Sequence, residues 1–432
     1  GGGGGVYCEQ TVCGGGGGGA GSGGGGGPVV ALVAELLGVC VMLADEAGDI
    51  VRGVAAGGHL GQVRDKSDKS GKSGTISSSS SANPPVPVAE PRKESAGAKA
   101  LDPQTQADRR AERLISAALF RRFGAAVTVL GEEALEGALV AAGGVNADGS
   151  VDADDVAGIS AAAVDAAAAG GPGAVAAWEI TLPPGLVEAT ATVADSDVCV
   201  WVDPLDGTRE YVEGPEHWAG VTVLIGISVK GVPVAGVIHQ PFVGVGGTAA
   251  ADYLPIVYPL VYPSADAAGG AAAPGDAGGG GRVFGAGRTM WGAIGMGTWS
   301  HEGRRPLSAT PMPPPRAADP AALRVATTRS HPGPAIEAAI ARLQPAETVR
   351  AGGAGGKVAL MLDGRVDAWI FPVSGTKRWD TCAGEALLRA HGGWLVDAEK
   401  GGRYCYGKDV AAAPGNTAGV IAAADWGLYG AM

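Results

Sequence analysis

The sequence predicts an α/β protein built from alternating helix and mixed-sheet layers, and three observations carry that expectation. Residues 198–202 form an unbroken apolar run, Val-Cys-Val-Trp-Val, that reads as a buried strand. Residues 221–229 and 232–238 are two further apolar runs joined by Lys230-Gly231, the pattern of a β-hairpin. Apolar residues spaced by three and four read as the inner faces of amphipathic helices: Val29, Leu32, Val33, Leu36, Leu37, Leu43 and Ala44 in one segment, Ala107, Ala111, Leu114, Ile115 and Ala118 in another.

Composition bounds what these elements can build. Of 432 residues 76 are Gly, much of it in runs, so the packed part is shorter than the chain, roughly three quarters of it. The net charge of −12, from 32 Lys and Arg against 44 Asp and Glu, opposes non-specific binding to nucleic acid or to an anionic membrane. An acidic protein that handles a phosphorylated small molecule would need cations to receive it. The six cysteines, at 8, 13, 40, 199, 382 and 405, contain no Cys-x-x-Cys pair, which fits a reducing, cytoplasmic setting. A plastid or mitochondrial address stays open, because the start shows neither a Met nor a basic segment. The apolar run at 28–44 is interrupted by Glu35 and is too short and amphipathic to span a bilayer, so no membrane partner is expected. A monomer or weak oligomer is expected.

Taken in order, residues 1–27 are a glycine head expected to be disordered, and the first helix follows from Val29, continuing towards Val54. Lys-Ser repeats and a serine run mark residues 62–99 as a flexible insertion. Thr105 can cap the second helix, which ends near Gly124 and places Asp108 in its first turn. Val127-Thr128-Val129-Leu130 is a short strand leading to Gly131-Glu132-Glu133, and the Ala/Gly/Asp-rich stretch at 136–195 is a second insertion. After the hairpin comes a low-complexity insertion at 246–281, then a strand pair within 288–299. A strand at 323–328 delivers Thr328, Arg329, Ser330 and His331, side chains suited to phosphate and sugar, although Ser330-His331-Pro332 reads equally as an ordinary helix start. The glycine loop 352–356 meets Lys357 and a helix at 358–362; its spacing is neither a Walker loop nor a dinucleotide fingerprint. A strand at 366–371 and a helix opened by Lys377 and Asp380 and stopped by Gly392 complete the pattern.

The chemistry gathers at the end of the apolar run, in Asp203-Pro204-Leu205-Asp206-Gly207-Thr208. Pro204 fixes φ between the two acids, so both carboxylates can face one point at little ordering cost. An all-oxygen set with no Cys or His favours a hard cation, and Mg²⁺ takes few carboxylates while leaving room for water and phosphate. Glu132, Asp203, Asp206 and Asp380 each stand at a strand end or helix start, where layered α/β proteins gather ligands. Singly, Asp108 and Asp380 also read as helix-dipole and capping residues.

The run at 198–208 with its continuation Arg209-Glu210-Tyr211-Val212-Glu213-Gly214 resembles the signature of the inositol monophosphatase-like, lithium-sensitive, Mg²⁺-dependent phosphatases, and most closely the 3'(2'),5'-bisphosphate nucleotidase branch. The resemblance extends from about residue 29 to 426 outside the insertions, through 222–240, 288–292, 327–331, 352–357 and 379–383. It implies the layered sugar-phosphatase fold, with an N-terminal lobe at 28–245 holding the metal site and a C-terminal lobe at 282–432 holding nucleotide-binding residues. It implies two or three Mg²⁺ ions on Glu132, Asp203, the Leu205 carbonyl, Asp206 and Asp380, and an Asp108–Thr208 couple that deprotonates a water. Thr328, His331, Gly353 and Lys357 match positions that hold the nucleotide. Gly356 departs from relatives that carry a polar residue there. The implied reaction is hydrolysis of adenosine 3',5'-bisphosphate to AMP and phosphate, with 3'-phosphoadenylyl sulfate as a further substrate. The alternatives are an inositol 1,4-bisphosphate 1-phosphatase and, in a different class, a non-catalytic nucleotide sensor.

Overall fold

The computed structural model describes residues 27–57, 64–65, 103–132, 197–243, 287–303 and 309–428. The expectations for the glycine head, for 136–195, for 246–281 and for nearly all of 62–99 lie outside the described residues. In chain order the elements are α1 (Gly27–Ala56), a two-residue pair β1 (Arg64–Asp65) and β2 (Pro103–Gln104), α2 (Gln106–Phe123), β3 (Thr128–Gly131), β4 (Val198–Asp206) and α3 (Thr208–Glu213). Then come β5 (Thr222–Val229), β6 (Val232–Gln240), β7 (Arg288–Ala293), β8 (Gly297–Glu302) and β9 (Thr310–Pro311). The second half holds β10 (Arg324–Thr328), α4 (Pro334–Leu343), β11 (Glu347–Ala351), α5 (Ala354–Leu362), β12 (Ala368–Phe371), α6 (Arg378–His391), β13 (Trp394–Asp397) and β14 (Val420–Ala423).

These elements make the alternating layers that the sequence predicts. A seven-stranded sheet runs β3-β4-β5-β6-β7-β8-β9, parallel only at β3–β4, and a five-stranded sheet runs β11-β10-β12-β14-β13, parallel at β11–β10–β12. Val198, Val200 and Val202 of β4 pack with α1 and α2, whereas Cys199 and Trp201 pack with α5, α6 and the second sheet. Both faces of β4 are buried, so its residues read as a continuous apolar run instead of an alternating one. The α4 helix covers the outer face of the second sheet through Ala339, Ile340 and Leu343.

The hairpin turns through Lys230 (φ 49°) and Gly231 (φ 76°), the two left-handed residues of a type I′ turn that matches strand twist. The α6 helix lies directly on this hairpin. A Cβ on Gly226 or Gly236 would come within 2.5 Å of the Ala383 backbone, so both positions need glycine for the helix to seat.

Three differences from the sequence reading have physical causes. The β4 strand does not end at Val202 but continues through Pro204 to Asp206, because a bulge between Asp203 and Asp206 lets pairing with β5 resume at Asp206–Thr222. The first sheet also continues past the lobe boundary placed at 282. The β7 strand pairs with β6 across the 246–281 tract, so the change of sheet falls between Pro311 and Arg324. The α5 helix starts at Ala354, four residues before the expected 358, and draws Gly355 and Gly356 into its first turn.

Candidate active site

The bulge in β4 is what aims its acids. Asp203 Oδ1 accepts from the Leu205 N–H at 3.1 Å, closing a local turn around Pro204. Asp206 turns towards α5: its carboxylate accepts from the N–H groups of Ala354 (2.8 Å) and Gly355 (2.7 Å) and from Thr222 Oγ1 (2.7 Å). That carboxylate caps the helix, which is why two glycines can hold helical form there. Asp380, at the third position of α6, accepts from the Lys377 N–H at 2.5 Å and so also caps its own helix.

Asp203, Asp206 and Asp380 bring carboxylate oxygens within 4.8 Å of one another. Glu132 follows β3, its N–H bonded to the Val202 carbonyl at 3.1 Å, and its charge bears on both Asp203 and Asp380. Lys377 Nζ stands 3.7 Å from Glu132 Oε1. Burial holds the Asp203 carboxyl well above the usual range, reinforced by Glu132, Asp206 and Asp380. Burial likewise pushes Asp380 up to about 7, with Glu132 and Asp206 adding to it. Asp206 is also raised by burial, against the pull of Thr222, the α5 amides and Lys357. Buried acids that repel one another this strongly fit a multivalent cation, and their oxygen-only chemistry fits a hard one.

The second group is built across a hundred residues of sequence. Asp108 occupies the third position of α2 and forms a capping box with Thr105, whose N–H (2.8 Å) and Oγ1 (2.5 Å) both donate to Oδ2. The other oxygen, Oδ1, is left to face Thr208 Oγ1 at 3.1 Å. The same hydroxyl lies 2.9 Å from the Leu205 carbonyl oxygen. Asp108 is therefore the helix-capping residue and the Thr208 partner at once. Both side chains are buried.

Gly353 joins β11 of the second sheet to α5, whose first amides hold Asp206. Its φ of +61° favours glycine, and a Cβ there would stand 2.4 Å from the Gly220 carbonyl oxygen and 2.7 Å from Asp206 Oδ2. At Gly356, where relatives are expected to carry a polar residue, a Cβ would meet the Gly220 oxygen at 3.1 Å, so glycine here allows α5 to approach residues 215–220 closely. Lys357 lies behind the loop, 5% exposed, with Nζ donating to the Gly353 carbonyl and standing 5.6 Å from the centroid of the Trp369 ring. Burial lowers its pKa, while Asp206, Glu210 and Asp380 oppose that shift.

Thr328 and His331 form a separate group at the end of β10, where the His331 N–H donates to Thr328 Oγ1 at 3.0 Å. The ends of β10 and β11 lie side by side, Thr328 opposite Ala351, so this group and the glycine loop share the carboxyl edge of the parallel strands. Ligands of open α/β sheets bind at such an edge. The sequence reading gives no site role to Thr222, Lys377 or Glu210, and it offers Arg329 to phosphate or sugar and not to Glu210. Each enters through a partner distant in sequence or on another element, and no local pattern marks that contact.

A largely buried cluster of carboxylates that could hold a cation lies on the chain with an acid–hydroxyl pair, an arrangement that fits a metal-dependent phosphatase. Residues 34–427 match the inositol monophosphatase family, and the chain belongs to that family of metal-dependent phosphatases. Among named proteins, it is 30% identical over 392 residues to mouse 3'(2'),5'-bisphosphate nucleotidase 1, covering 91% of each chain. It is 31% identical over 323 residues to the human protein of that name, covering 75% of this chain and 79% of the relative. Mouse inositol polyphosphate 1-phosphatase is 26% identical over 236 residues, half of each chain. No helix among the described residues is long and apolar enough to cross a membrane.

Proposed function

We propose that this phosphatase removes the 3'-phosphate of adenosine 3',5'-bisphosphate with Mg²⁺ as its cofactor, releasing AMP and phosphate, and accepts 3'-phosphoadenylyl sulfate as a further substrate. The carrying observation is the Asp108–Thr208 pair set against the buried acids. The nucleotide is supported by the activity for which the mouse and human relatives are named.

In this reading Glu132, Asp203, the Leu205 carbonyl, Asp206 and Asp380 hold two or three Mg²⁺ ions. The ions supply the positive charge that the phosphoryl oxygens and the departing ribose oxygen require. The protein groups do the positioning and the proton handling. Thr105 fixes Asp108 Oδ2, which leaves Oδ1 as the acceptor for the Thr208 hydroxyl. Thr208 Oγ1 takes up a proton from water while passing its own proton to Asp108 Oδ1, and the water oxygen attacks phosphorus in line. The P–O bond to the ribose breaks, and the 3'-oxygen leaves with a proton from solvent. Gly353, Thr328 and His331 hold the nucleoside, and Lys357 pairs with the 5'-phosphate once its ammonium exchanges the Gly353 carbonyl for that anion.

The complete set of acids and the intact Asp108–Thr208 pair disfavour a non-catalytic sensor. The resemblance to inositol polyphosphate 1-phosphatase supports inositol 1,4-bisphosphate as the second reading. Phosphate release from a panel containing both bisphosphates separates them. The expected result is higher kcat/KM on the nucleotide, loss of activity in excess EDTA, recovery with Mg²⁺ and inhibition by Li⁺. Full activity in EDTA would overturn the metal assignment, and a wide preference for the inositol substrate would replace the nucleotide.

A further inference from the structure

Glu210 is a carboxylate 2% exposed, two residues after Thr208 on α3. Its Oε1 lies 3.1 Å from Arg329 Nη2, a guanidinium contributed by the residue between Thr328 and Ser330. The same guanidinium nitrogen also pairs with Glu213, one turn further along α3. A second arginine runs in the opposite sense: Arg209 Nε meets Glu213 Oε1 at 3.0 Å and Arg209 Nη1 donates to the Ser330 carbonyl at 2.7 Å. The Glu210 side chain also fills the space that a residue at 352 would need, since a Cβ on Gly352 would come within 2.3 Å of its Cγ and Cδ. The Arg329 N–H donates to the Ala351 carbonyl at 3.1 Å, so the same ion pair borders the glycine loop.

We propose that Glu210 is a positioning residue that fixes the Thr328–His331 turn and the 352–353 turn relative to Thr208, and so sets where a nucleoside lies against the attacking water. The kinetic part rests on the nucleotide reading above; the mechanical part does not. An exposed ion pair contributes little, but this carboxylate is buried under a backbone turn and bonded to a charged donor, the arrangement in which loss of one partner is felt most. A displaced turn would weaken binding of the nucleoside far more than the chemistry at phosphorus, because Asp203, Asp380 and the Asp108–Thr208 pair are held by contacts outside both turns and Asp206 keeps Thr222 Oγ1.

The test uses Glu210→Gln and Arg329→Met in the full chain. Backbone hydrogen exchange is expected to speed up at residues 329–331 and 352–353 in both variants and to stay unchanged in the middle of α6. Kinetics on adenosine 3',5'-bisphosphate are expected to show KM raised roughly tenfold with kcat within about threefold. The double variant should be no worse than the worse single one, and Arg329→Lys should restore part of the loss. Unchanged exchange in both turns overturns the proposal, as do additive penalties or a loss confined to kcat. If wild-type protein releases no phosphate from the nucleotide, the substrate reading falls and the exchange result alone decides Glu210. If Glu210→Gln fails to fold, Arg329→Met tests the same contact from its partly exposed side.

Discussion

Asp108 divides two tasks between two oxygens, and that division makes its catalytic role testable. Asp108→Asn keeps an acceptor for the Thr105 cap but replaces the oxygen that takes the Thr208 proton with a neutral amide or a weaker acceptor. The expected outcome is a kcat lowered roughly 10²-fold or more, with Mg²⁺ affinity and melting temperature nearly unchanged. Steady-state kinetics beside a thermal melt decide it, and an unchanged kcat would return Asp108 to a capping residue alone. At this scale the sequence was readable wherever chemistry and local pattern coincide. Asp203 and Asp206 stand out because an apolar strand runs into them. Asp108 and Asp380 each had a sufficient local explanation as caps, and the structure shows both as caps whose carboxylates also face Thr208 and the other acids. The contact between Glu210 and Arg329 was invisible, since a pair separated by 119 residues leaves no periodicity in either segment.

Among the elements, α6 carries the most demanding placement, because its first turn presents Asp380 to acids from another sheet. Asn416 holds that turn from outside the helix. Fully buried, it donates to Thr376 Oγ1 (3.0 Å), the Lys377 carbonyl (3.0 Å) and Thr381 Oγ1 (3.2 Å), and its side-chain oxygen accepts from Arg378. Asn416→Ala removes these four hydrogen bonds, at about 0.5–1.5 kcal/mol for each one not replaced by water, while the Lys377 carbonyl and Thr381 Oγ1 keep each other and Arg378 keeps the Cys405 and Gly415 carbonyls. Denaturant unfolding should show that loss, and a Mg²⁺ titration should show weaker binding as Asp380 loosens. A stability loss with unchanged Mg²⁺ affinity would limit Asn416 to the fold. The helices and the hairpin were legible because their periods are local. The extension of β4 and the β6–β7 pairing were not, since a bulge and a long-range ladder depend on the neighbouring strand and not on the strand's own residues. The early start of α5 is of the same kind: two glycines argue against a helix until a carboxylate from β4 caps them.

The whole molecule is joined through its middle layer, and one polar seam there sets how stability depends on pH. Tyr406, in the segment between β13 and β14, accepts at its backbone oxygen from Trp201 Nε1 (2.9 Å) and Ser228 Oγ (2.7 Å) of the first sheet. Its hydroxyl donates to Glu385 Oε2 of α6 at 2.8 Å. Glu385 Oε1 has no hydrogen-bond partner, and burial pushes this carboxyl from 4.5 up to about 7. Below pH 4.5 the group is protonated in both folded and unfolded chains and costs nothing. Between 4.5 and 7 the unfolded chain ionises while the folded protein keeps the proton, so stability falls as pH rises, by at most about 3 kcal/mol for this group. Above about 7 the penalty is constant. Glu385→Gln keeps the shape and the acceptor for Tyr406 and removes the titration. Its unfolding free energy should therefore exceed that of wild type at pH 8 and converge with it near pH 5, both measured in excess EDTA so that cation binding does not contribute. The acids of the metal site titrate in both proteins and cancel in the difference. Parallel curves across pH 5–8 would show that Glu385 does not take up the proton, and that the seam between the sheets carries a buried charge instead.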